Sequence, residues 1–179
     1  MASRALAGTR NIGSGRVTWF VRNAREARWL ANELGSFCNF EDDDTRFPEL
    51  GINLNVVEPG RPMCMYHREP HQEGFLVLRG ECLLIVEGEE MPLRQWDFFH
   101  CPPNVPHVIV GAGTTSSLVL AVGSRLGPRG GGAYPVDETA IAHGAGVEEE
   151  TSDPKKAYER FSQDVVVPFR EEFLSEAAG

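Results

Sequence analysis

The stretch Gly60–Gly80, GRPMCMYHREPHQEGFLVLRG, decides the fold. Its apolar residues come in pieces of strand length, broken by proline and glycine. Residues two apart on a strand point to one face, so His67 and Glu69 share a face. Pro70, His71 and Gln72 read as a hairpin turn, because proline suits turns and ends a central strand. Glu73 then opens the next strand opposite Glu69. With Glu73 inward, Phe75 and Val77 are inward too. Leu76 and Leu78 face the other way and need cover from a second element or a second subunit.

The same rhythm continues outward from this stretch. Apolar pieces run over Ile52–Val57, Met63–His67, Phe75–Leu78, Cys82–Glu87, Met91–Leu93, Phe98–Cys101, Val108–Val110 and Leu118–Val122. The breaks between them are turn signals such as Glu58-Pro59-Gly60, Arg79-Gly80, Glu87-Gly88 and Pro102-Pro103-Asn104. Seven or eight short strands at this spacing predict an all-β antiparallel sandwich or barrel over 51–124. No 3.6-residue periodicity of helix length interrupts them, which argues against an α/β crossover fold.

The flanks differ. The first fifteen residues are small and polar and read as a frayed lead. Val17–Val21 reads as a short strand, and Asn23 as the cap of a helix over Ala24–Leu34 that Gly35 stops. The acidic run Glu41–Asp44 lacks the ligand spacing and glycine turn of a calcium loop and reads as a solvated loop. Gly123–Pro135 reads as a linker. Beyond it, helices are expected at Asp137–Ala142, after an Asp153 cap, and from Pro168 with Phe169, Phe173 and Leu174 inward. The expected organisation is a lead over 1–50, a barrel over 51–124, and a linker with a helical arm over 125–179.

Composition excludes several classes. The chain has 179 residues and a net charge of −9, with 17 Lys and Arg against 26 Asp and Glu. That balance disfavours a nucleic-acid backbone or an anionic membrane as partner. The longest apolar runs, Cys82–Val86 and Leu118–Val122, have five residues each, against the roughly 20 a membrane span needs. The first residues lack the apolar stretch of a signal peptide, so a cytoplasmic location is expected. Cys38, Cys64, Cys82 and Cys101 form no CxxC pair and read as reduced thiols. The 19 glycines and 12 prolines mark turns.

Histidines and carboxylates cluster where the strands begin. His67, Glu69, His71 and Glu73 alternate in the first stretch, and a second group, FFHCPPNVPH, spans Phe98–His107. Asn104 is a residue type that accepts positive φ in the loop its prolines force.

These two groups resemble the paired motifs of the cupins, G-x5-H-x-H-x3-4-E-x6-G and G-x5-P-x-G-x2-H-x3-N. Glu73 and Gly80 match with six residues between them, and His67 takes the first His position. Glu69 replaces the second His, and Gly60 lies one residue too far upstream. Pro102 and His107 match the second motif, whereas Trp96, Asn104 and Gly111 replace Gly, Gly and Asn. The segments YHREPHQEGFLVLRGECLLIVEGEE, WDFFHCPP and YPVDE are also similar to uncharacterised single-domain cupins. The resemblance implies a small jelly-roll barrel (a double-stranded β-helix), a homodimer, and one divalent metal.

By that resemblance His67, Glu73 and His107 are the ligands, and Glu69 is the fourth. His71 competes with Glu69, since 67, 69, 71 and 73 share parity. Imidazole with carboxylate suits Fe, Mn, Zn or Ni, and the extra carboxylate tilts the set towards Mn or Fe. The competing reading is a hydrogen-bonded polar cluster without metal. Cys64 has the wrong parity for the histidine face and reads as core, Trp96 and Phe98 as packing at the barrel end, and His100 and His143 as surface. Phe75, Val77 and Phe98 are the expected lining of a small pocket. Two functions follow: a metalloenzyme of oxygenase or isomerase type acting on a small molecule, or a non-catalytic module binding a small ligand.

Overall fold

The structure is a computed structural model that describes residues 6–12, 15–42, 45–127 and 130–174. Strands β1 (Leu6–Ile12) and β2 (Gly15–Val21) form a separate antiparallel hairpin. The remaining strands are β3 (Arg28–Ala31), β4 (Gly35–Asn39), β5 (Leu50–Val57), β6 (Glu73–Arg79), β7 (Glu81–Val86), β8 (Glu89–Arg94), β9 (Phe98–Cys101), β10 (His107–Ala112), β11 (Ser117–Ser124) and β12 (Val165–Val167). They form a seven-stranded sheet in the order β12-β3-β4-β5-β11-β6-β9 and a three-stranded sheet in the order β10-β7-β8. Residues 59–68 run along the free side of β10 through bridges at Pro59, Pro62 and His67. The protein is an all-β jelly roll.

Strand alternation sorts the side chains into two faces. Val57, Phe75, Val77, Cys82, Leu84, Leu93, Ile109 and Val119 fill the space between the sheets. The outer face of the large sheet carries Leu54, Val56 and Leu118, packed with Trp29, Cys38 and Phe173. Leu78, predicted to need cover, packs against this cluster, which contains Phe173 of the chain's own C-terminal segment and is also met by Phe169 and Leu174. The outer face of the small sheet is sealed by Ala140 and Ala145 against Ile85, Val108 and Tyr66.

Several expectations fail, each for a physical reason. The lead is stranded from Leu6 onward, while Met1–Ala5 lie outside the described residues. The helix over Ala24–Leu34 is only a 3-10 turn at Ala24–Glu26, capped by Asn23 as expected. Trp29 is buried against the rings of Phe169 and Phe173, which holds Arg28–Ala31 extended as β3. Tertiary burial overrides helix propensity here. The helix from Pro168 is likewise a 3-10 turn at Glu171–Phe173, preceded by β12. The short helices α1 (Glu138–Ala142) and α2 (Pro154–Ala157) form where read, capped by Asp137 and Asp153.

The turn at Pro70–Gln72 does not join a hairpin. His67 pairs with His107 in the small sheet, whereas Glu73 pairs with Cys101 and Gly123 in the large one. The turn carries the chain across the barrel. The acidic run is more than a solvated loop: Glu41 accepts from Arg125 Nη1 at 2.8 Å and Asp42 from Arg22 at 2.7 Å. Asp43 and Asp44 lie outside the described residues.

Candidate metal centre

The crossover at Pro70–Gln72 brings two sheets to one point. His67 and His107 face each other across an antiparallel bridge, each donating its backbone N–H to the other's carbonyl at 3.1 and 2.9 Å. Glu73 reaches the pair from the first residue of β6 in the opposite sheet. Glu73 Oε2 lies 3.5 Å from His107 Nε2 and 3.9 Å from His67 Nε2. Among the described residues these three form a group able to hold a metal ion, with donor atoms all within 4.8 Å.

Both imidazoles are held the same way. His67 Nδ1 donates to Met65 O at 2.8 Å, and His107 Nδ1 to Val105 O at 3.0 Å. Each ring therefore carries its proton on Nδ1 and turns a bare Nε2 inward, the form that ligates metals. Burial pushes His107 down to about 4, aided by neighbouring His67, and pushes His67 down as well. Burial, with the charge of Glu69, pushes Glu73 up to about 7. His107 and Glu73 thus approach closely without forming an ion pair, because desolvation outweighs their attraction.

His107 Nε2 and Glu73 Oε2 are buried with no hydrogen-bond partner. Orphaned buried polar atoms are rare and costly. A hydrogen-bonded polar cluster would leave neither atom orphaned. A cation between them satisfies both, and the two-nitrogen, one-carboxylate set fits Fe, Mn, Zn or Ni.

Glu69 stands outside the tight group of three. It lines a cleft of about 200 Å³ with Asn53, His71, Glu73 and Arg125, and its charge acts on His67 and Glu73. His71 lines the same cleft. Cys64, read from sequence as core, and Cys101 place Sγ 3.7 Å from His67 Nδ1 and 3.3 Å from His107 Nδ1. Burial pushes both thiols up to about 12, so they are neutral neighbours and not thiolate ligands.

The expected pocket lining needs correction. Val77 is fully buried and Phe75 forms a wall, its ring 5.2 Å from that of His107. Phe98 is 64% exposed on the edge strand and Trp96 66% exposed, so neither lines a pocket nor packs the barrel end. His100 is exposed as read, but His143 is half-buried against Glu90 at 2.7 Å. The aromatic wall beside His67 comes instead from Tyr134, 6.1 Å away, backed by Tyr158. Both belong to the C-terminal segment, and only the YPVDE resemblance hinted at one of them. The motif departures are conservative in backbone: Trp96 and Asn104, standing where glycines are usual, have φ of 76° and 67°. Gly111 replaces Asn where a Cβ would meet Glu58 O.

Residues 53–123 match the model of the cupin domain. Among solved structures, the cupin domain of Cnp3 from Schizosaccharomyces pombe aligns at TM-score 0.55 and 10% identity, covering 69% of this chain and 88% of that one. KdgF from Halomonas sp. aligns at TM-score 0.50 and 23% identity, covering 57% and 92%. A sugar phosphate isomerase from Silicibacter pomeroyi aligns at TM-score 0.48 and 24% identity, covering 52% of this chain, which spans 60% of its length. A search of curated proteins finds no match. No helix among the described residues is long and apolar enough to cross a membrane. With its motif pair, its jelly roll and its two-histidine, one-glutamate cluster in place, residues 53–123 form a cupin domain.

Proposed function

We propose that this chain is a metalloenzyme that acts on a small molecule with oxygenase or isomerase chemistry. The observation that carries this reading is the pair of orphaned atoms, His107 Nε2 and Glu73 Oε2, aimed at one point with His67 Nε2. His67, Glu73 and His107 hold one divalent ion, Fe, Mn, Zn or Ni, and Glu69 is the fourth donor from the cleft side. Bound there, the ion supplies a Lewis acid, or a redox centre if it is iron.

The chain's own groups do the rest. Met65 O and Val105 O fix both imidazole tautomers. Phe75 and Tyr134 wall the site against water. The half-protonated Glu73 releases its proton when the ion binds, and His71, on the cleft wall, is placed to move protons for a ligand entering there. The protein is proposed to work in the cytoplasm as a homodimer.

Elemental analysis of protein purified without added metal tests the centre. The expected result is one equivalent of a divalent metal, lost in His107→Ala and weakened in Glu69→Gln. Metal-free wild type with a melting temperature unchanged by chelator would leave the non-catalytic ligand-binding module as the reading.

A further inference from the structure

Strand β5 is built inside out. Its outward residues Leu54 and Val56 are apolar because the C-terminal segment covers that face. Its inward residues, from the mouth down, are Asn53, Asn55 and Val57. The neighbouring strands put Val119, Ala121, Phe75 and Val77 on the same inner face. Two carboxamides therefore stand among apolar neighbours, below the polar group of His67, Glu73 and His107 at the mouth.

Asn53 and Asn55 line a half-open cavity of about 810 Å³ together with Phe37, Met63, Tyr158 and Phe161. Asn53 also lines the cleft that contains Glu69 and Glu73. It sits one residue pair below Glu73 in register, with only Ala121 and Gly123 between them on β11. The cavity and the metal cleft thus meet at Asn53.

Asn55 Nδ2 donates to Asn53 Oδ1 at 2.6 Å. Among the described residues, Asn53 Nδ2 and Asn55 Oδ1 have no partner. The pair therefore offers a free donor beside a free acceptor, which a hydroxyl group, itself donor and acceptor, satisfies at once. Charge narrows the ligand further. Among the described residues Lys155 is the one cation lining the large cavity, exposed and outnumbered by Glu159 and Asp164. In the cleft, Arg125 is already engaged by Glu41. Among the described residues there is no cationic clamp for a phosphate or carboxylate.

We propose that this cavity is the substrate site and that Asn53 and Asn55 orient an uncharged, hydroxyl-rich small molecule. Its position as substrate beside the metal rests on the function proposed above; its recognition by the amide pair does not.

The test is ligand-observed NMR titration of ribitol, glucose, myo-inositol and glucose 6-phosphate, with metal-loaded and with chelator-treated protein. At least one uncharged polyol is expected to bind both forms, and glucose 6-phosphate to bind no tighter than glucose. Asn55→Leu, matched in shape, is expected to weaken polyol binding about tenfold or more, while Asn55→Ser keeps part of it. If Asn55→Leu fails to fold, Asn53→Ser is read in its place, with the same direction expected. Absence of binding by all three polyols, equal binding by the variants, or tenfold tighter binding of the phosphate overturns the proposal. Polyol binding to a protein that never takes up metal refutes the metal centre and leaves this site standing. Stoichiometric metal without polyol binding does the reverse.

Discussion

The two ends of the barrel interior are made by the same strands and obey opposite rules. At the closed end Val77 of β6 and Ile109 of β10 are fully buried among Val57, Leu84 and Val119. At the mouth the same two strands supply Glu73 and His107, buried with polar atoms unpaired. Four residues along β6, or two along β10, separate a packed apolar layer from an electrostatically costly one. Stability is concentrated at one end and binding capacity at the other.

The largest expected effect is at the closed end. Ile109→Ala should cost about 3 kcal/mol by opening a cavity in a layer that cannot collapse. Denaturant unfolding measures it, and a cost no greater than that of a surface substitution would dissolve the contrast.

At the mouth the sign should reverse. Glu73→Met removes a buried carboxyl whose Oε2 has no partner, so the metal-free protein should gain about 1–2 kcal/mol while losing any metal-dependent rise in melting temperature.

The same layer makes a pH prediction for the metal-free protein. Glu73 has its folded pKa raised, from 4.5 to about 7. Its contribution is full below pH 4.5 and is lost as pH rises through 7. His107 has its folded pKa lowered, from 6.5 to about 4, so its contribution grows as pH rises from 4 to 6.5. Glu73 opposes the histidine slope, to which His67 adds in the same direction, so the wild type should gain less stability over about pH 4.5 to 6.5 than a variant without Glu73. Glu73→Gln should expose the histidine slope, with stability rising over that window, and His107→Phe should weaken it. Unfolding at several pH values decides this; identical profiles in Glu73→Gln and wild type would contradict the assigned shifts.

The smallest effect lies outside both layers. Trp96 is held at φ 76° by its N–H bond to Val77 O at 2.8 Å, with its ring in solvent. Trp96→Gly should stabilise the fold by about 0.5–1 kcal/mol by relieving a left-handed conformation that a Cβ disfavours. A thermal melt reads it.

Much of the closed end and the clustering of His67, Glu73 and His107 was legible in the sequence, because both rest on local signals. Alternation placed Phe75 and Val77 inward with Glu73, and motif spacing picked out His67, Glu73 and His107. What stayed hidden depends on contacts distant along the chain. Ala24–Leu34 has helical composition, yet Trp29 is claimed by Phe173, which no local pattern reports. A proline turn at 70–72 signals a reversal but not whether the next strand pairs back or crosses to the facing sheet. Asn53 and Asn55 lie inside the apolar piece Ile52–Val57, and which face of β5 is covered depends on the arm.

The reciprocal backbone bonds between His67 and His107 make the two nitrogens a fixed jaw, their separation set by the peptide ladder. Glu73 is the opposing jaw and belongs to the other sheet. Any ion gripped between them fastens the two sheets at the mouth like a rivet. Ion radius would thereby be translated into the spacing between the layers, and the carboxylate side, not the imidazole pair, is where this protein would adjust to a bound metal.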